Sequence, residues 1–216
     1  MRRVLLVSML KDVAPALARD LGELAKEPMA YIRTAAETAS DPTWRIVNRE
    51  ALVAAGFQPY DYTITGKDEA ALRRDLAHFP ILCFEGGDPF YLLEQMQKMN
   101  TTETIRELAR ERVYIGFSAG ATIAGPDIYP ARHDPDATFP QLKDTRGLGL
   151  VDIVVLNHWG SPHGRKVMLD GKRGHPGTIY HNFDSAYRRV FLADNQYLDY
   201  QDGRFAFREC PERTDK

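Results

Sequence analysis

Short runs of consecutive apolar residues alternate along this chain with longer stretches in which apolar positions recur every three or four residues. Val4–Val7, Ala30–Arg33, Tyr60–Ile64 and Ile81–Phe84 have the length and content of strands. Between them, Val13–Lys26, Thr43–Ala55 and Asp68–Leu76 carry the helical period, as do Phe90–Met99 and Thr102–Glu111 further on, with Asp41-Pro42 marking the start of the second helix. Strand and helix in alternation is the order that a parallel sheet covered by helices on both faces requires, so the pattern predicts an α/β fold, a three-layer α/β/α sandwich. The second half is less regular. Pro126–Gly147 carries four prolines and no sustained period, and reads as a long loop. A strand at Val151–Leu156 is followed by a Gly-, Pro- and His-rich segment to Asn182, and then by strands at Arg189–Leu192, Gln196–Tyr200 and Arg204–Phe207. Asp202-Gly203, between the last two, is a hairpin turn signal. No repeat and no linker divides the chain, which predicts one domain over residues 1–216.

Composition narrows the function classes. With 44% hydrophobic and 27% charged residues among 216, the chain can bury a sizeable core. A net charge of −2 with scattered Lys and Arg gives no attraction to a phosphate backbone, so nucleic acid is not expected as a partner. The apolar start is broken by Lys11 and Asp12, too early for a secretory signal, and no apolar run approaches membrane-spanning length. A cytoplasmic protein without a membrane partner is expected, and self-association into a homo-oligomer stays open. Cys83 and Cys210 read as unpaired thiols, and their spacing suits no metal.

The chemistry concentrates at Val113-Tyr114-Ile115-Gly116-Phe117-Ser118-Ala119-Gly120-Ala121-Thr122, an apolar run ending on a serine between two glycines. Strand, Gly-x-Ser-x-Gly turn and helix is the arrangement that pushes a serine hydroxyl out of the backbone into a cleft, which makes Ser118 a candidate nucleophile. The glycines are there because a β-carbon on either flank of so sharp a turn would collide with the neighbouring strand or helix. The alternative is a plain helix N-cap. As nucleophile, Ser118 would need a base and the base an orienting acid. His158 follows Val151–Leu156 at a strand end, the edge of a parallel sheet where sites assemble, and His163 is its rival. For the acid, Asp127, Asp134, Asp136, Asp184 and Asp194 all lie in loop-like sequence; Asp194, just past the strand Arg189–Ala193, repeats the strand-end setting of His158. A second glycine turn, Phe84-Glu85-Gly86-Gly87-Asp88-Pro89-Phe90, places the Gly87 N–H where it can act beside that of Ala119 as an oxyanion donor. Phosphate binding there is disfavoured by Glu85 and Asp88 and by the lack of Gly-Lys-Ser/Thr.

Gly86-Gly87-Asp88-Pro89-Phe90-Tyr91-Leu92-Leu93, Gly116-Phe117-Ser118-Ala119-Gly120-Ala121 and Leu156-Asn157-His158-Trp159, in that order, resemble the motifs of the dipeptidase E (aspartyl dipeptidase) serine peptidase family, to which cyanophycinase is related. The resemblance runs from the first strand to about Asp194. It implies a fold similar to class I glutamine amidotransferases, with serine in place of their cysteine. It also implies hydrolysis of a small peptide through an acyl-enzyme, without metal or organic cofactor. Ser118 would then be the nucleophile, His158 the base, Gly87 and Ala119 the oxyanion donors and Asp194 the acid, where dipeptidase E has glutamate; some descriptions of the family point instead to the loop position of Asp134. Serine, histidine, acid is also not the order of an α/β-hydrolase.

Two departures bear on specificity. The family's Gly-Gly-Asn-Thr-Phe is Gly86-Gly87-Asp88-Pro89-Phe90 here, and its His-x-Gly-Glu-Thr-Arg segment, whose arginine binds the substrate aspartate, has no match. Arg165, Lys166 and Arg173 are the candidate substitutes, and a preference other than Asp-X dipeptides is expected. The rival readings are hydrolysis of another amide or ester, and a ligand-binding protein of amidotransferase-like fold without turnover.

Overall fold

The computed structural model describes residues 3–41, 43–131, 142–162 and 187–211. Its main sheet uses β1 (Arg3–Val7), β2 (Pro28–Ile32), β3 (Gln58–Tyr62), β4 (Ile81–Phe84), β5 (Val113–Phe117), β8 (Gln196–Gln201) and β9 (Arg204–Glu209) in the order β3-β2-β4-β5-β1-β8-β9. The first five run parallel; β8 pairs antiparallel with β1, and β9 with β8. A separate parallel pair is formed by β6 (Ile153–Leu156) and β7 (Arg188–Phe191).

Side-chain alternation along the strands divides the core in two. Leu5, Val7, Tyr31, Cys83, Ile115 and Phe117 face one side of the sheet, where α1 (Leu10–Leu21) contributes Val13 and Leu17 and α2 (Thr43–Ala54) contributes Leu52. Val4, Leu6, Ile32, Phe84 and Tyr114 face the other, against α3 (Glu69–Leu76), α4 (Pro89–Lys98) and α5 (Thr102–Glu111) through Leu72, Leu93, Met96, Ile105 and Leu108. A parallel sheet buried on both faces needs unbroken apolar strands, which is why β1, β4 and β5 read as continuous apolar runs. The expected three-layer α/β/α arrangement, mostly parallel, is the one observed. Cys83 is buried and Cys210 half-buried, and both are free thiols.

Several boundaries differ from the sequence reading, each for a local reason. The first helix stops at Leu21 because Gly22, at φ +58, turns the chain and donates its N–H to the Ala18 carbonyl; the rest of the expected helix is a 3-10 turn over Gly22–Lys26. The second and third strands begin two residues early, at prolines or beside them: Pro28 is the first residue of β2, and Pro59 is tolerated because β3 is a sheet edge. β3 also stops short of Ile64, whose N–H bonds the Thr34 hydroxyl at 3.0 Å instead of a neighbouring strand. Within the expected long loop, Tyr129–Ala131 forms a 3-10 turn and Asp127 bridges Arg146.

Candidate active site

The parallel strands deliver their carboxyl ends to one edge of the sheet, where β1 ends beside Ser8, β4 beside Gly86-Gly87 and β5 beside Ser118. Ser118 sits between β5 and the short helix α6 (Ala119–Ile123) with φ +49 and ψ −109. A non-glycine residue held there stores roughly 1–3 kcal/mol of strain and persists only where its surroundings over-determine it. Those surroundings are visible. The Ser118 N–H donates to the Val7 carbonyl at 2.9 Å, and the Ser118 carbonyl accepts from the Thr122 N–H at 2.9 Å and from Asn157 Nδ2 at 3.0 Å. A β-carbon on Gly116 would overlap the Gly120 carbonyl, and one on Gly120 the Phe84 carbonyl, so α6 can lie this close to β4 and β5 only with glycine at both positions.

His158 lies two residues beyond the end of β6, and Asp194 three beyond the end of β7. Pairing continues past both strands, with the Leu192 N–H on the Leu156 carbonyl and the Trp159 N–H on the Leu192 carbonyl, and this brings the two loops together. His158 Nε2 is 2.9 Å from Ser118 Oγ, and His158 Nδ1 is 2.7 Å from Asp194 Oδ1. The three side chains therefore form one hydrogen-bonded chain. His158 has φ +61, and its carbonyl is held by the Ser161 hydroxyl at 2.8 Å. Burial by itself would raise the Asp194 carboxyl, but the hydrogen bond and charge of His158, the Ser8 hydroxyl and Lys11 outweigh it and leave its pKa below the ordinary value. An ionised Asp194 accepting from Nδ1 leaves the lone pair of Nε2 facing the serine hydroxyl.

The Gly86-Gly87 turn stands beside the serine: a β-carbon built on Gly86 would come 3.2 Å from the Ser118 β-carbon. Gly87, at φ +130, is pressed against the Ala35 carbonyl, where any side chain would overlap. The Glu85 N–H bonds the Ile32 carbonyl at 2.9 Å and the Asp88 N–H that of Ala35 at 2.8 Å, fixing the turn on both sides of the glycines. Asp88 and Pro89 have a structural explanation. Asp88 Oδ1 accepts from the N–H groups of Phe90 and Tyr91 as the N-cap of α4, and Pro89 occupies the first turn, where no N–H is needed.

Three neighbours were not legible in the sequence. Ser8, fully buried, accepts from the His158 N–H at 2.8 Å and donates to Asp194 Oδ1 at 3.1 Å. Asn157 holds the Ser118 carbonyl. Glu85, just before the glycine turn, is buried and accepts from the Tyr31 hydroxyl at 3.0 Å, with Arg45 at 3.7 Å and Arg33 at 4.0 Å. Burial pushes its carboxyl up to about 7 in spite of that hydrogen bond and the two arginines. Each of the three stands just past a strand-like run, but its contacts span distant segments and leave no local pattern. Among the other candidates, Asp127 accepts from the Tyr129 N–H at 2.9 Å in the manner of a turn aspartate. His163, Asp134, Asp136, Asp184, Arg165, Lys166 and Arg173 lie outside the described residues. No group of three His, Cys, Asp or Glu suited to a metal occurs among the described residues, and none of their helices is long and apolar enough to cross a membrane.

The model of peptidase family S51 matches residues 5–207. An uncharacterized peptidase of Pasteurella multocida is 27% identical over 161 residues, 74% of this chain and 78% of its own length. One from Listeria innocua is 26% identical over 169 residues, 77% and 81% of the two chains. Among solved structures, a candidate peptidase E from Listeria monocytogenes EGD-e superposes with a TM-score of 0.81 at 20% identity, over 97% of this chain and 98% of that one. A peptidase from an acI-B1 actinobacterium gives 0.67 at 17% identity, over 97% and 88%.

Proposed function

Since the chain belongs to peptidase family S51 and is a peptidase, we propose that it hydrolyses small peptides by serine catalysis through an acyl-enzyme. The observation that supports this reading is the chain of hydrogen bonds from Ser118 Oγ through His158 to Asp194, at 2.9 and 2.7 Å, on a strained strand-to-helix turn. In the first half-reaction Ser118 Oγ attacks the carbonyl carbon of the scissile bond while its proton passes to His158 Nε2. The N–H groups of Gly87 and Ala119 receive the negative charge that builds on the carbonyl oxygen; Ala119 opens α6, so its N–H has no carbonyl of its own helix to serve. His158 then returns the proton to the departing amine, leaving an ester on Ser118. In the second half-reaction water loses a proton to His158 and attacks that ester, and the proton goes back to Ser118 as the product acid leaves. Asp194 keeps the proton of the neutral imidazole on Nδ1 and stabilises the imidazolium in between.

The substrate class is a peptide with a preference other than Asp-X, because the arginine-bearing segment that would pair with a substrate aspartate has no match in the sequence. The test combines a fluorophosphonate probe with a dipeptide panel varied at its first residue and compared by kcat/KM. Wild type is expected to label at Ser118 and turn over non-acidic dipeptides best. Ser118→Ala is expected to keep its melting temperature, lose labelling and lose on the order of 10⁴-fold or more in kcat/KM. A Ser118→Ala protein with wild-type turnover overturns the mechanism. A wide lead for Asp-X overturns the substrate assignment alone.

A further inference from the structure

We propose that Ser8 is a positioning residue of this site, a buried hydroxyl at the end of the central strand that locks the base and the acid to each other. The inference rests on the serine-peptidase reading and extends it to a residue outside the Ser118–His158–Asp194 chain. Its basis is the direction of two hydrogen bonds. The His158 N–H can only donate, so at 2.8 Å it makes Ser8 Oγ the acceptor. The single hydroxyl proton of Ser8 is then left for Asp194 Oδ1, 3.1 Å away and already accepting from His158 Nδ1 at 2.7 Å. One oxygen atom thus fixes both ends of the His158–Asp194 pair, the main chain of one and the carboxylate of the other.

The location makes such a lock necessary. His158 follows β6, in a two-stranded pair that is not part of the main sheet, and Asp194 lies in the turn that leads from that pair into β8, whereas Ser118 leaves the main sheet at β5. Ser8 follows β1, the strand between β5 and β8, and is fully buried, so it ties the His158 loop to the sheet that positions both Ser118 and the Asp194 turn. His158 also sits at φ +61, a conformation a side-chain-bearing residue holds only when its neighbours impose it. Among the described residues, Lys11 on α1 is a charged group of a neighbouring element that acts on Asp194.

The experiment is the pH dependence of fluorophosphonate labelling at Ser118 in wild type, Ser8→Ala and Ser8→Cys, with melting temperatures measured alongside. Ser8→Cys fills nearly the same space with a thiol that is a weak donor and acceptor, which guards against a cavity effect in the alanine variant. Labelling by Ser8→Ala is expected to fall roughly 10- to 100-fold, the loss typical of a hydrogen bond to a charged group. Ser8→Cys should fall between it and wild type. Without the Ser8 donor, Asp194 keeps more of its charge for the imidazolium, so the acidic limb of the profile should move to higher pH. In peptide turnover kcat should fall and KM hold. A purely structural serine would lower the melting temperature without moving the acidic limb, and that result overturns the proposal. So does a wild-type rate and limb in either folded variant. If wild type itself fails to label, the serine-peptidase reading falls first.

Discussion

At the scale of single residues, Glu85 shows how burial and charge compete close to the site. Its carboxyl is 1% exposed, and burial, helped by the charge of Asp61, pushes its pKa from an ordinary 4.5 up to about 7 although Tyr31, Arg45 and Arg33 favour the anion. Between about pH 4.5 and 7 the folded protein therefore holds a proton that the unfolded chain has released. Stability from this group is complete below that window and is lost as pH rises through it, by roughly 3 kcal/mol in all. Glu85→Gln, which still accepts from Tyr31, should flatten this part of the profile when urea unfolding is compared at pH 5 and pH 8. At pH 5 the wild-type carboxyl is already neutral, so Gln leaves Arg45 facing the same neutral partner, and the slope between the two pH values is the measure. A variant as steep as wild type would assign the pH dependence elsewhere. The same scale separates what the sequence discloses about the site from what it hides. Ser118, His158 and Asp194 could be singled out because each follows an apolar run that reads as a strand, and the structure brings them within hydrogen-bond reach. Ser8, Asn157 and Glu85 also stand just past such runs, but their residue types suggest no role there and their contacts leave no local trace: Ser8 meets its partners across 150 and 186 positions, a proximity that only the folded topology creates.

At the scale of elements, the glycine pair around Ser118 decides how close α6 comes to the sheet. Gly120 faces the Phe84 carbonyl, so Gly120→Ala must push α6 off β4 and carry the Ala119 N–H and Ser118 with it. Displacements of about an ångström near reacting groups cost about 10²-fold in rate. Labelling by Gly120→Ala should fall at least that far. Gly66, at φ +71 with nothing near a β-carbon, provides the control: Gly66→Ala pays about 1–2 kcal/mol for its backbone conformation and should label at the wild-type rate. Equal labelling by both variants would mean that the tight approach of α6 has no part in the site. The elements themselves were legible where burial is two-sided, as in β1, β4 and β5. They were blurred where one residue overrides the pattern: Gly22 ending α1, Pro28 and Pro59 disguising strand starts, and the Thr34 hydroxyl taking the N–H of Ile64 away from β3. The pairing of β6 with β7 could not be read at all, because two short apolar runs do not state their partners.

At the scale of the whole molecule, the site depends on how the C-terminal hairpin is registered against the first strand. Asp194 precedes β8 by two residues, and β8 lies antiparallel on β1, whose end carries Ser8. That register is fixed at its far end by Arg3, whose guanidinium donates to both carboxylate oxygens of Asp199 at 3.0 and 2.7 Å and to the Asp20 carbonyl at 2.8 Å. Both side chains are mostly buried, 18% and 8% exposed, so removing one strands the other charge in a poorly hydrated place. Arg3→Met and Asp199→Leu should each cost roughly 3–5 kcal/mol in urea unfolding. The double variant has no charge left to strand, so it should cost far less than the sum of the two. If the losses simply add, the pair has no coupling and the register is held by the strand hydrogen bonds and the apolar contacts of Leu5, Val7 and Tyr197. If they couple as expected, each single variant should also label more slowly at Ser118 while the double variant recovers, because the same β1–β8 alignment that Arg3 and Asp199 secure sets Asp194 beside Ser8 and His158.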